Sequence, residues 1–140
     1  MARSLLVSPH LSWKELACHE GTPYPREWED RSDLLGRMFE WIRGHYGFPV
    51  KLNSAYRTEA YNRQIGGARL SQHVQGRALD LTPVAGGSLR RLVESVRAAR
   101  DAGLVQGLEL YDNFVHADCG GRTRNATWYG SRKAETQFSL

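Results

Sequence analysis

The stretch that does most to define the fold and chemistry of this chain is Ser71-Gln72-His73-Val74-Gln75-Gly76-Arg77-Ala78-Leu79-Asp80. It places an imidazole and a carboxylate, His73 and Asp80, on either side of a glycine turn. A second segment, Phe114-Val115-His116-Ala117-Asp118, supplies another imidazole far along the sequence. Two imidazoles and one carboxylate are ligands that a catalytic zinc ion takes when its fourth position stays open for water. We therefore predict a metal site formed by His73, Asp80 and His116. A solvated polar loop with a core histidine is the alternative interpretation.

Length and apolar patterning limit the classes of protein to consider. A chain of 140 residues fits one domain with one core, so we take residues 1–140 as a single domain. No segment approaches the run of about 18 apolar residues that a membrane helix needs. The first residues carry neither the apolar stretch nor the cleavage-type continuation of a secretory signal. We expect a protein made in the cytoplasm without a signal peptide and without membrane insertion.

The net charge of the chain bears on its partners, and the number of cysteines bears on whether it has a disulfide. A net charge of +4 favours polyanions such as nucleic acid, anionic lipid or an acidic cell-wall polymer. The basic residues are mostly scattered, and no aromatic-basic motif of a nucleic-acid module is present, so we expect no nucleic-acid partner. Cys18 and Cys119 do not make a disulfide scaffold, and we expect buried free thiols.

The periodicity of apolar residues predicts helices and a small antiparallel sheet, hence an α+β domain. Thr58 and Ser88 are suited to cap helices, and Gly103 to end one. The tail from residue 120 is polar and turn-rich, with Trp128 and Tyr129 as anchors. The predicted elements are an irregular start at 1–26, helices at 27–45, 58–65 and 88–103, and strands at 50–56, 78–82, 105–111 and 114–118.

The two last strands permit a prediction of register. If Asp112 and Asn113 form a two-residue turn, Glu109 faces His116 across the hairpin. Alternation along the strand places Asp118 on the same face as His116. The cluster of Glu109, His116 and Asp118 then needs water, a metal ion or mutual pairing to be stable on a sheet face.

Further segments extend the pattern over most of the chain. The segment Asn53-Ser54-Ala55-Tyr56-Arg57-Thr58 looks like the Ser-Gly-Tyr-Arg motif of a known peptidase family. The segment Leu11-Ser12-Trp13-Lys14-Glu15-Leu16-Ala17-Cys18 looks like the start of a subgroup of that family that includes phage lysis enzymes. Together with the two ligand segments, they resemble the zinc D-alanyl-D-alanine carboxypeptidase and L-alanyl-D-glutamate endopeptidase family. These peptidoglycan peptidases share a fold with the hedgehog signalling domain. The resemblance implies a hedgehog/DD-peptidase-like sheet with flanking helices.

The resemblance also implies residue roles. His73, Asp80 and His116 would bind zinc, Arg57 would hold a substrate carboxylate or carbonyl, and Ser71 would hydrogen-bond the substrate near the metal. Bidentate recognition suits a guanidinium. The alternatives are an ordinary strand-end salt bridge for Arg57 and a turn hydroxyl for Ser71.

One position departs from the family pattern. Many of these enzymes carry an acidic general base three residues before the last zinc histidine, where this chain has Asn113. An amide cannot accept a proton from a water nucleophile. Asp118 and Glu109 are the remaining candidates, and Glu109 could instead only orient the histidine. We favour Asp118, because it lies inside the recognised motif whereas Glu109 is placed only by the assumed turn.

The leading hypothesis is a monomeric zinc peptidase that hydrolyses amide bonds in the peptide stems of peptidoglycan, as a carboxypeptidase or an endopeptidase. The expected lack of an export signal fits a phage endolysin that reaches the cell wall through a membrane lesion, or a protein carried in a particle. The alternative is a non-catalytic zinc-containing module of a virion or one that binds cell wall, which Asn113 favours. A nucleic-acid binder has only the charge in its support.

Overall fold

The computed structural model describes residues 4–138. Within that range the chain forms short helices and strands around two long helices. In chain order the elements are β1 (Leu6–Ser8), β2 (Leu11–Ser12), α1 (Trp13–Leu16), α2 (Glu29–Tyr46), β3 (Val50–Ser54), α3 (Glu59–Gln64), β4 (Ala78–Pro83), α4 (Leu89–Asp101), β5 (Gly107–Leu110), β6 (Val115–Asp118), β7 (Ala126–Tyr129) and α5 (Arg132–Phe138).

The strands form two sheets. β1 and β2 make a small antiparallel pair, and the larger sheet has the order β3-β4-β6-β5-β7. Its pairs β3–β4, β4–β6 and β5–β6 are antiparallel, whereas β7 joins β5 in parallel. The predicted α+β class is confirmed. The parallel edge strand is an addition that the sequence pattern did not predict.

The core lies on one face of the larger sheet. Helix α4 packs against β4, β5 and β6, and α2 packs against α4. Alternation along β4 directs Leu79 and Leu81, both fully buried, to this core. The helices bury matching apolar side chains: Leu35, Met38, Phe39 and Ile42 from α2, and Leu92, Val93 and Val96 from α4. The other face of the sheet is therefore left to the polar residues of the strands.

Local capping signals are confirmed. The Thr58 hydroxyl accepts from the Tyr61 amide at the start of α3, and the Ser88 hydroxyl accepts from the Arg91 amide at the start of α4. Gly103 has a φ of 84° just after α4, a conformation that favours glycine. The predicted free, buried thiols of Cys18 and Cys119 are also confirmed.

The prediction of an irregular start at 1–26 is wrong, and the tail predicted as polar and turn-rich also contains two regular elements. The stretch predicted as an irregular start contains β1, β2 and α1, which Ser12 and Glu15 open with a reciprocal capping box. Its residues 1–3 lie outside the described residues. The tail after residue 120 forms β7 and α5, because pairing with β5 and burial of Ala134 and Phe138 stabilise segments without local periodicity. Between residues 4 and 138, no helix combines the length and apolar character needed to cross a membrane.

Candidate metal centre

A single row of residues crosses all strands of the larger sheet on the face opposite the core. Ser54 pairs with Asp80, Asp80 with His116, His116 with Glu109, and Glu109 with Trp128. Directly paired residues present their side chains on the same face of a sheet. The row therefore brings a hydroxyl, a carboxylate, an imidazole, a second carboxylate and an indole together.

Three side chains converge within this row and the loop before β4. The Asp80 Oδ1 atom lies 3.0 Å from Nε2 of His73 and 3.1 Å from Nδ1 of His116. The two imidazole nitrogens are 3.2 Å apart. One ligand atom from each residue lies within 4.8 Å of the others, and all three residues are buried. The predicted ligands are thus brought together.

The hydrogen bonds of the outer imidazole nitrogens determine which nitrogen of each ring faces the centre. Nδ1 of His73 donates to the Ala55 carbonyl at 2.6 Å, since a carbonyl can only accept. Nε2 of His116 donates to Oδ2 of Asp118 at 2.8 Å. Such outer partners select the imidazole tautomer and orientation of a metal ligand. The inward donor set of two nitrogens and one carboxylate oxygen fits a zinc ion.

Electrostatics distinguish the two imidazoles. Burial lowers the pKa of His73. Burial also lowers the pKa of His116, but hydrogen bonds to Asp118 and Asp80 outweigh it and raise the pKa to about 9. Burial raises the pKa of Asp80, yet hydrogen bonds from His116 and His73 hold it well below its usual range. Asp80 is therefore ionised, and a proton on His116 would compete with a metal ion at this centre.

The loop that carries His73 is held by the N-terminal region. The Tyr24 hydroxyl donates to the Gly76 carbonyl at 2.6 Å. Gly76 has a φ of 68°, and a Cβ there would lie 2.6 Å from the Trp28 ring. Only glycine meets both demands, since other residues are strained in the left-handed region. The glycine of the ligand segment thus allows the turn and its close packing.

Asp118 is fully buried behind His116 rather than open to the cleft. Arg122 binds it bidentately, with Nε to Oδ1 and Nη2 to Oδ2 both at 2.8 Å. Burial raises the pKa of Asp118, but hydrogen bonds from Arg122 and His116 outweigh it and lower the pKa to about 2. Gly107, its strand partner, leaves room for the carboxylate, because a Cβ there would overlap it. The sequence offered no signal for Arg122, which lies in an irregular loop.

Glu109 lies directly opposite His116, which confirms the predicted hairpin register. It is half-buried and lines a cleft of about 520 Å³ together with the three candidate ligands. Tyr111 lines the same cleft, and burial and the Glu109 carboxylate raise the pKa of its hydroxyl. Asn113 lies in the exposed turn between β5 and β6, outside the lining of this cleft. Of the two candidates for general base, Glu109 is the one that reaches the cleft.

Arg57 lies beside the ligands at the β3 edge of the row. Its guanidinium donates to Ser54 Oγ at 3.1 Å, to Asn62 Oδ1 at 3.2 Å and to Asp80 Oδ2 at 3.3 Å. It also lines the cleft. Arg57 therefore forms the salt bridge of the alternative interpretation, with Asp80, and also faces the cleft.

Ser71 occupies the rim of the cleft where the loop turns towards His73. Its hydroxyl accepts from the His73 amide at 3.1 Å, so it acts within the turn. It lines the cleft as well. Ser71 therefore makes the turn hydrogen bond of the alternative interpretation, and its contact with a substrate remains a prediction.

Comparison with known proteins adds one match. The family model described as Peptidase M15 matches residues 9–118. The matched range includes His73, Asp80 and His116 and ends at Asp118, before Arg122 and Trp128. No curated protein matches the chain.

Proposed function

Because the chain belongs to the peptidase M15 family, we propose that it is a zinc-dependent peptidase that hydrolyses amide bonds in the peptide stems of peptidoglycan, as a carboxypeptidase or an endopeptidase. The main observation in support of this proposal is that His73, Asp80 and His116 converge in an open cleft. The opening segment that resembles phage lysis enzymes supports a role as an endolysin acting on the cell wall.

In this proposal His73, Asp80 and His116 hold the zinc ion. Zinc at such a site polarises a scissile carbonyl and lowers the pKa of a water molecule so that it becomes a nucleophile at neutral pH. Asp80 contributes a negative charge, and Asp118 fixes the His116 ring through its Nε2 hydrogen bond. These contacts position the ligands before any substrate arrives.

Arg57 orients the substrate. A guanidinium has five N–H groups, and three hydrogen bonds within the protein leave two free to donate. A substrate carboxylate or carbonyl at the β3 side of the cleft is a suitable acceptor. Ser71, on the same rim, offers its hydroxyl hydrogen to the substrate.

Glu109 is the general base in this proposal, in place of Asp118. It takes a proton from the attacking water and passes it to the leaving amine. Its position beside His116 and its access to the cleft support this role. Asp118 is less suited, because Arg122 and His116 engage both of its oxygens, it is fully buried, and its pKa of about 2 makes it a weak base.

Digestion of purified peptidoglycan by the zinc-loaded protein tests the proposal, with products identified by mass spectrometry. We expect new free amino and carboxyl ends within the stem peptides, and none from His73→Ala protein of equal concentration. The masses also identify the bond that is cut.

A non-catalytic zinc module is the second candidate, since Asn113 stands where many relatives carry an acidic residue. It predicts that the zinc-loaded protein sediments with peptidoglycan while no stem-peptide products appear. Product formation by the parental chain would exclude it.

A further inference from the structure

We propose that Trp128 determines substrate specificity by contacting the peptide on the amino side of the scissile bond, across the metal centre from Arg57. This inference rests on the proposed peptidase function. Trp128 lies beyond the residues that match the family, so the contact is contributed by the C-terminal segment of this chain.

The sheet row sets the distances between the subsites. Ser54, which holds Arg57, lies at one edge of the row, and Trp128 lies at the other. Neighbouring strands are about 4.8 Å apart, so Trp128 lies about 10 Å from His116, on the side away from Arg57. The candidate metal ligands and Glu109 therefore lie between the Arg57 guanidinium and the Trp128 ring.

The indole is accessible and held in place. Trp128 lines the same cleft as His116 and Glu109 and remains 40% exposed. The Arg122 guanidinium lies over its ring, 4.5 Å from the centroid. Arg122 is itself bound bidentately by the buried Asp118. A ring fixed in this way loses little conformational freedom when a ligand binds.

The chemistry of the ring indicates the part of the substrate that it contacts. An indole presents a large, uncharged surface suited to peptide planes and aliphatic side-chain segments. If Arg57 holds the carboxyl side of the substrate, its amino side extends towards Trp128. An extended peptide advances about 3.3–3.6 Å per residue, so about three residues on the amino side of the scissile bond are needed to reach the ring.

This length requirement makes the proposal testable. Stem peptides truncated stepwise from the amino end are assayed with the parental protein and with Trp128→Ala. We expect Trp128→Ala to lower kcat/KM about tenfold, mainly through KM, for peptides with three or more residues before the scissile bond. Peptides with one such residue should be cleaved at rates within about twofold of the parental rate. Trp128→Phe should restore part of the loss.

Trp41→Ala is the matched control. Trp41 is a partly buried indole on α2, stacked on His45, and it does not line the cleft. Its removal should change kcat/KM equally, and little, for all peptide lengths. An equal loss for short and long peptides in Trp128→Ala would reveal a general structural effect and overturn the proposal.

A binding measurement provides a second readout without turnover. The amino-side product peptides are titrated into zinc-loaded protein by calorimetry. We expect the affinity of the parental protein to rise once the third residue is present, and this increment to be lost in Trp128→Ala. No increment, or an increment retained in Trp128→Ala, overturns the proposal.

An increment that appears only when the amino-terminal sugar is attached assigns Trp128 to the glycan and overturns the peptide contact. Absence of cleavage by the parental protein would refute the proposed function, while the calorimetric increment would still decide the role of Trp128.

Discussion

The Nε2 atom of His116 donates to Oδ2 of Asp118 at 2.8 Å. This bond leaves Nδ1 of His116 facing His73 and Asp80, so the Asp118 carboxylate orients a candidate metal ligand. Arg122 donates to both oxygens of the same carboxylate. The hydrogen-bond network around the candidate ligands therefore extends through Asp118 to the C-terminal segment.

Asp118→Asn is expected to weaken zinc binding about 10–100-fold. An amide has one accepting oxygen where the carboxylate has two, so it cannot accept both hydrogen bonds from Arg122 and orients His116 less well. Competition with a chelator measures the zinc Kd. With zinc saturating, activity should recover to a large part of the parental value. Unchanged zinc affinity with a hundredfold lower saturated rate would return the role of base to Asp118.

Glu109→Gln should show the opposite pattern. The amide keeps the shape but cannot accept a proton, so the rate at saturating zinc should fall about 100-fold or more while the zinc Kd stays within about threefold. Metal analysis and peptidoglycan turnover on the same preparation separate the two effects. Parental turnover in Glu109→Gln would exclude Glu109 as the base.

Arg57→Lys should lower kcat/KM about tenfold or more, since an ammonium keeps the charge but loses the planar fork. Its pairing with Asp80 can persist, so we expect only a small fall in Tm. Arg100→Lys is the control, because Arg100 donates to Thr127 and does not line the cleft. A large fall in Tm with near-parental kcat/KM would make Arg57 structural.

Zinc affinity should depend on pH up to about 9, the pKa of His116. Below that value His116 is protonated and must lose a proton to bind zinc, so affinity falls about tenfold for each unit that the pH drops. Above it, this proton no longer contributes. An ordinary imidazole would release its proton near pH 6.5, so constant affinity between pH 7 and 9 would contradict the raised pKa.

Local chemistry made much of the fold and centre predictable. A two-residue turn at Asp112 and Asn113 specifies the hairpin register, and that alone places Glu109 opposite His116. Thr58 and Ser88 act within one turn of their helices, so their caps could be predicted from neighbouring residues.

Non-local pairing accounts for what could not be predicted. β7 has four residues without an alternating burial pattern, and it is stabilised by a strand 19 residues earlier in register. Trp128 reaches the centre through that pairing, whereas two hydrogen bonds with Gln106 hold Arg122. The prediction that Asp118 is the base did not take Arg122 into account, because a residue's place in a motif does not reveal which of its oxygens already accept hydrogen bonds.

Titration of metal-depleted protein with zinc, with peptidoglycan turnover recorded at each step, shows whether one bound zinc ion is required for catalysis. We predict that turnover is absent without metal, rises in proportion to zinc, and saturates at one equivalent per chain, and that His116→Ala shows no such rise. Full turnover by protein from which chelation has removed the metal would exclude a zinc-dependent mechanism.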